Sequence, residues 1–204
     1  MLNLYPMDKL QAAIEQFDDY NKTDPHVFTW DGITYPQEYF LALKLHEWVL
    51  KLAPAASEEL LLASRCQHIG RWEIPRDQYP EGREAYLQWR KDLAKYHAEV
   101  ATSILKDVGY EEEQIERVRQ IILKQKIKVD AEVQVMENAL CLVFLQFQYE
   151  DFYPKHEPEK LINILKRSLL KMDAHGHKFA LSLSYSTEGL HYINEALKLI
   201  NKVN

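Results

Sequence analysis

The residues best suited to chemistry stand where an apolar helix face should run. In the stretch from Ala63 to Arg76, the residues Arg65, His68 and Arg71 are spaced three apart, which puts them on one face of a helix. Five of the eight arginines (Arg65, Arg71, Arg76, Arg83 and Arg90) fall within 26 residues. Guanidinium forks match phosphate and carboxylate oxygens, so this cluster reads as a local anion site. The plainer alternative pairs these arginines with Glu73, Asp77, Glu81 and Glu84. His97 shares a face with Arg90, Ala94 and Ala101, as either a ligand or a hydrogen-bonded core histidine. Glu137, followed by Asn138, opens the most apolar run of the chain, residues 139–147. A carboxylate there is expensive to bury without an arginine, a metal or a proton. It reads either as part of a site or as a buried ion pair with Arg65 or Arg71.

The remaining histidines say less. His46, beside Trp48, fits a core or a site, and His175 and His177 flank Gly176 in a turn-like segment. His26, His156 and His191 fall in loops or on the surface and support no site.

The elements that must position these residues are helical, with no convincing alternating strand. A first helix is expected from Pro6 to Tyr20, then a loop over residues 21–35 holding Asp24-Pro25 and Asp31-Gly32. Pro36 suits the first turn of a helix reaching Lys51. Ser57 is an N-cap for a third helix ending near Gly70. Further helices are expected over residues 81–106 (closed by Gly109), 111–126, 130–152 (capped by Asp130), 158–172 and 186–201, with 179–185 either helical or extended. The fold class is all-α: seven to nine helices in one domain spanning residues 1–204.

Composition narrows the function. With 204 residues, 47% of them apolar, the chain can bury a substantial core, and six glycines and eight prolines exclude fibrous and low-complexity classes. A net charge of −6 argues against nucleic acid as a partner, since duplex binding needs a basic face. Cys66 and Cys141 show no Cys-x-x-Cys spacing and read as buried thiols of a cytoplasmic protein. No segment resembles an export signal, and the longest apolar run is too short to span a bilayer, so no membrane partner is expected. Oligomeric state is not legible.

The run Gln67-His-Ile-x-Arg-Trp-x-Ile-Pro-Arg76, then Tyr79-Pro80, Tyr86-Leu-x-Trp-Arg90 and His97-Ala98, resembles domain-of-unknown-function family 4202 over nearly the whole chain. Asn21-x-x-Asp24-Pro25, Gly32, Pro36-x-Glu38, Leu52-Ala-Pro54, Glu137 and the Cys141 to Leu145 run also fit its pattern. The resemblance implies no activity. The chain departs from the pattern at Asn138, where the family has aspartate, and at Asp173, where it has serine after Lys171-Met172. His68-Ile-Gly-Arg71 also resembles the His-Ile-Gly-His box of class I aminoacyl-tRNA synthetases, but it ends a helix in a chain with no parallel sheet. A looser likeness is to HD-domain phosphohydrolases: Gln67-His68-Ile69-Gly70 sits where His-Asp-Ile-Gly would be, and Asn138 where a late aspartate would be.

That likeness implies a metal-dependent phosphohydrolase acting on a phosphorylated small molecule or nucleotide. His68, His97 and Glu137 would hold a divalent cation (Mn, Fe, Zn or Ni), with Asn138 or Glu38 completing the shell. Glu137 and Arg71 are then the catalytic candidates, and Arg65, Arg71, Arg76 and Lys124 would neutralise phosphate oxygens. A non-catalytic anion-binding or regulatory module on the same scaffold is the alternative. A third reading is a scaffold that contacts another protein through Tyr79, Tyr86 and Trp89.

Overall fold

Capping chemistry sets several of the helix boundaries. Ser57 Oγ accepts the Leu60 N–H, and Asp130 accepts the N–H groups of Glu132 and Val133, satisfying donors that the first turn of a helix leaves without intrahelical partners. At the other end of a helix, Gly109 takes φ +92°, a left-handed stop that a glycine adopts without strain.

The computed structural model describes residues 8–201. In chain order these form α1 (Lys9–Asn21), β1 (Val27–Trp30), β2 (Ile33–Pro36), α2 (Gln37–Leu52), α3 (Glu58–Cys66), α4 (Arg83–Val108) and α5 (Glu112–Ile122). There follow α6 (Ala131–Phe147), the single turn α7 (Tyr149–Phe152), α8 (Pro158–Leu169), α9 (Ala174–Leu181) and α10 (Thr187–Asn201). Short 3-10 turns cover Arg71–Glu73, Arg76–Gln78 and Tyr153–Lys155. The fold class is all-α apart from one small hairpin, as expected. The expected start at Pro6 lies outside the described residues. None of the described helices is long and apolar enough to cross a membrane.

The described residues form two compact units. The first holds the chain up to Leu50 together with Pro54–Gln125. There α3 packs on α1 and α5, and α4 packs on the same two helices, around Phe17, Leu60, Ile69, Leu93 and Ile115. The second holds Lys51–Ala53 and the chain from Lys126 onward. There α6 packs on α9, and α8 on α10, around Met136, Leu142, Leu161, Leu165 and Ile193. Both cysteines are buried thiols.

The helices expected over 111–126 and 130–152 end earlier, at Ile122 and Phe147, and three other segments differ from expectation. The expected loop before α2 contains a hairpin, with Val27 opposite Pro36 and Trp30 opposite Ile33. Asp31 and Gly32 turn it with φ +49° and +77°, the pair of positive values that a two-residue type I′ turn requires. Each strand is four residues long, too short for a period-2 pattern to stand out against helical periodicity. What anchors the hairpin is aromatic packing: Phe28 and Tyr35 lie 4.9 and 5.3 Å from the Phe40 ring of α2. Next, α3 stops at Cys66 rather than near Gly70, so Arg65, His68 and Arg71 do not share a helix face. Gly70 is left-handed at φ +67°, and a Cβ there would sit 2.8 Å from Tyr96 Cε1, so the chain turns tightly against α4. Last, the turn-like segment holding His175 and His177 is the first turn of α9, capped by Asp173 through the Gly176 N–H.

Candidate functional site

The first unit holds a cavity of about 270 Å³, lined by the hairpin approach, the start of α2 and the irregular segment between α3 and α4. Glu38, Arg71, Trp72 and Arg76 line it, together with Asp24 and His26.

Glu38 lies in the first turn of α2 and is only 4% exposed. Its carboxylate faces Arg71 Nε at 3.7 Å and His68 Nδ1 at 4.0 Å, both longer than a hydrogen bond. Burial pushes its carboxyl up to about 7, Arg71 opposing and Asp24 adding to the shift. Arg71, at the start of a 3-10 turn, places its guanidinium over the Trp89 ring, 5.5 Å from the ring centre, while Trp89 donates to the Ile74 carbonyl.

His68 and His97 follow in the same unit, with ring centroids 5.7 Å apart. Burial, then the Arg71 charge, holds His68 well below its usual value. Burial likewise lowers His97 to about 4, against a hydrogen bond from Nδ1 to the Ile69 carbonyl at 2.6 Å. A carbonyl can only accept, so Nδ1 carries the proton and Nε2 keeps a lone pair. At neutral pH both rings are uncharged. Glu38, His68 and His97 are brought together through His68, and among the described residues no group of three His, Cys, Asp or Glu side chains is arranged to hold a metal ion.

The three arginines proposed for phosphate differ in what already holds them. Arg65 is buried and grips Asp18 of α1 through Nε and Nη2. Arg76 donates to the carbonyls of Tyr79 and Pro80, at 2.8 and 2.9 Å. Arg71 has a loose approach to Glu38 and the face of the Trp89 ring, and 39% of its side chain is exposed. None of the three meets Glu73, Asp77, Glu81 or Glu84 in these contacts. Lys124, in left-handed backbone just past α5, adds its charge to the lowering of the His68 pKa.

Glu137 and Asn138 belong to the second unit. Glu137, 3% exposed at its side chain, meets Lys171 Nζ at 3.3 Å. The Asn138 oxygen accepts from Gln134 Nε2 (3.1 Å) and the Asp173 N–H (3.2 Å), while its nitrogen donates to Asp173 Oδ1 (2.9 Å). Those bonds tie α6 to the cap of α9, with Gly176 so close that a Cβ would lie 2.6 Å from the Asn138 oxygen.

One pair escaped the reading of the sequence, which gave His26 no role. Asp24 has a fully buried side chain and accepts three N–H groups: the His26 and Glu38 backbone amides and His26 Nδ1, each at 2.9 Å. The signal was an aspartate two residues before the histidine, the spacing of an Asx turn.

A family model described as a domain of unknown function (DUF4202) matches residues 11–193. No curated protein matches the chain, and no solved structure does.

Proposed function

The chain belongs to this family of unknown function, and from that premise we propose that its first unit binds a phosphorylated or otherwise anionic small molecule in the cavity lined by Arg71. The observation that carries this reading is the contrast among the arginines. Arg65 is locked on Asp18 and Arg76 caps backbone carbonyls, whereas Arg71 lies in the cavity wall with a carboxylate no closer than 3.7 Å. A guanidinium placed over an indole and not closed into a bidentate pair is preorganised for an incoming oxyanion. Trp72 supplies an apolar wall, the usual complement to a few polar anchors in a small-molecule site.

The hydrolase reading adds a divalent cation to this picture. Its test is the metal content of untagged protein purified without chelator, compared with a His97→Ala variant. Stoichiometric metal lost in the variant supports it, and no metal in either protein after incubation with divalent cations refutes it. A cytoplasmic setting belongs to both readings, supported by the buried thiols of Cys66 and Cys141.

The anion reading is tested by thermal shift with inorganic phosphate, pyrophosphate and a panel of phosphorylated metabolites. Stabilisation of the native chain that disappears in Arg71→Ala supports it. Equal shifts in both proteins, or none in either, refute it.

A further inference from the structure

We propose that Asp24 and His26 form a proton-transfer dyad at this cavity, with His26 acting as general base in the hydrolysis of a phosphate ester held by Arg71. The inference rests on the anion-site reading and adds turnover to it.

The geometry is that of an oriented imidazole. The Asp24 carboxylate is fully buried and fixed by two backbone amides, from His26 and Glu38, so it cannot swing away. Its Oδ1 also takes His26 Nδ1 at 2.9 Å. Both Asp24 oxygens already accept backbone N–H groups, an arrangement suited to an Nδ1 donor that leaves the Nε2 lone pair as the basic position. This is the division of labour in which a buried aspartate fixes the tautomer and steadies the imidazolium that forms. A purely structural Asx turn needs the His26 backbone amide alone and would serve with any side chain at that position. Here the ring itself is held, although 63% of it is exposed, and both members of the pair line the cavity that Arg71 shares.

The step balances without a further reactant. Water attacks phosphorus, and one of its protons passes to His26 Nε2 as the new P–O bond forms. The bond from phosphorus to the ester oxygen breaks, and that oxygen leaves with the electron pair and takes a proton from solvent. His26 returns its proton to solvent through its exposed edge. Arg71 supplies charge to the phosphoryl oxygens throughout.

The test uses the full chain, stripped with chelator and assayed on p-nitrophenyl phosphate, beside His26→Ala, His26→Gln and Asp24→Asn. General base catalysis is worth roughly 10²- to 10⁴-fold, so both His26 variants are expected to lose about that factor in kcat with KM unchanged. Because the ring is exposed, these variants are expected to keep the thermal shift given by inorganic phosphate. ¹⁵N NMR of the wild type is expected to show the Nδ1–H tautomer at His26, and Asp24→Asn to disturb it. Hydrolysis unaltered in His26→Ala overturns the proposal, as does a wild type that binds phosphate but releases no nitrophenolate; in both cases the anion-site reading survives. A chain that neither binds phosphate nor responds to Arg71→Ala overturns both together.

Discussion

Replacing Glu38 with glutamine isolates the cost of keeping a carboxylate in the cavity wall. The native environment raises this carboxyl from 4.5 to about 7, burial outweighing the attraction of Arg71. Below pH 4.5 the group is protonated in both folded and unfolded chains, and its preference for the native state is fully present. That preference is lost as the pH rises through about 7, where the folded state must ionise it too. At about 1.4 kcal/mol per pH unit, the difference between the two values makes about 3 kcal/mol. Glu38→Gln mimics the neutral acid at every pH. It is therefore expected to match the wild type near about pH 4.5 and to exceed it by about 3 kcal/mol above about pH 8, or about 6–12 °C in melting temperature for a chain of this size. The pull of the groups facing Glu38 (Asp24, His26, Gln37, His68 and Arg71) on its carboxylate is contained in that shift, while their own titration is common to both proteins. That matters for His68 and His97. Their lowered values give stability that is full above 6.5 and lost as pH falls, opposite in sign to the Glu38 effect. The assay is urea unfolding followed by far-UV circular dichroism for both proteins across this range. A difference between them that stays flat with pH, or a variant less stable than wild type at the alkaline end, refutes the reasoning. Either result would mean that Arg71 and His68 satisfy the ionised carboxylate despite their distance.

Two further outcomes test the scaffold. Asp18→Asn leaves the Arg65 guanidinium buried without its counter-charge and is expected to destabilise by about 3–5 kcal/mol in urea titration; the double variant Asp18→Leu/Arg65→Met is expected to regain most of that, because a buried pair is replaced by apolar groups. Gly176→Ala places a Cβ 2.6 Å from the Asn138 oxygen and is expected to cost about 1–3 kcal/mol by calorimetry; combining it with Asn138→Ala should relieve the clash and give a smaller loss than the two single changes added.

Much of the fold was legible because it is written in local chemistry. Ser57, Gly109 and Asp130 mark helix ends through hydrogen bonds and backbone angles that depend on their own side chains and nearest neighbours. The hairpin was not legible to the same reading, because its stability comes from Phe28 and Tyr35 packing on Phe40 rather than from four-residue strands. Nor was the end of α3. Gly70 turns left-handed where Tyr96 of α4 leaves no room for a Cβ, a contact from a distant part of the chain, so Arg65, His68 and Arg71 do not lie on one continuous helix.

For the site, the sequence by itself determined which chemistry was at hand: arginines concentrated in one stretch of an acidic chain, and carboxylates and histidines in apolar surroundings. Residue type and spacing carry that much, since charge and hydropathy are properties of the chain. Only the tertiary structure decided which of those groups answer to one another. It committed Arg65 to Asp18 and Asn138 to Asp173, left Arg71 loosely beside Glu38, and gave His26 a buried aspartate. Partner choice and desolvation depend on residues distant in sequence, and pairwise spacing along the chain contains neither.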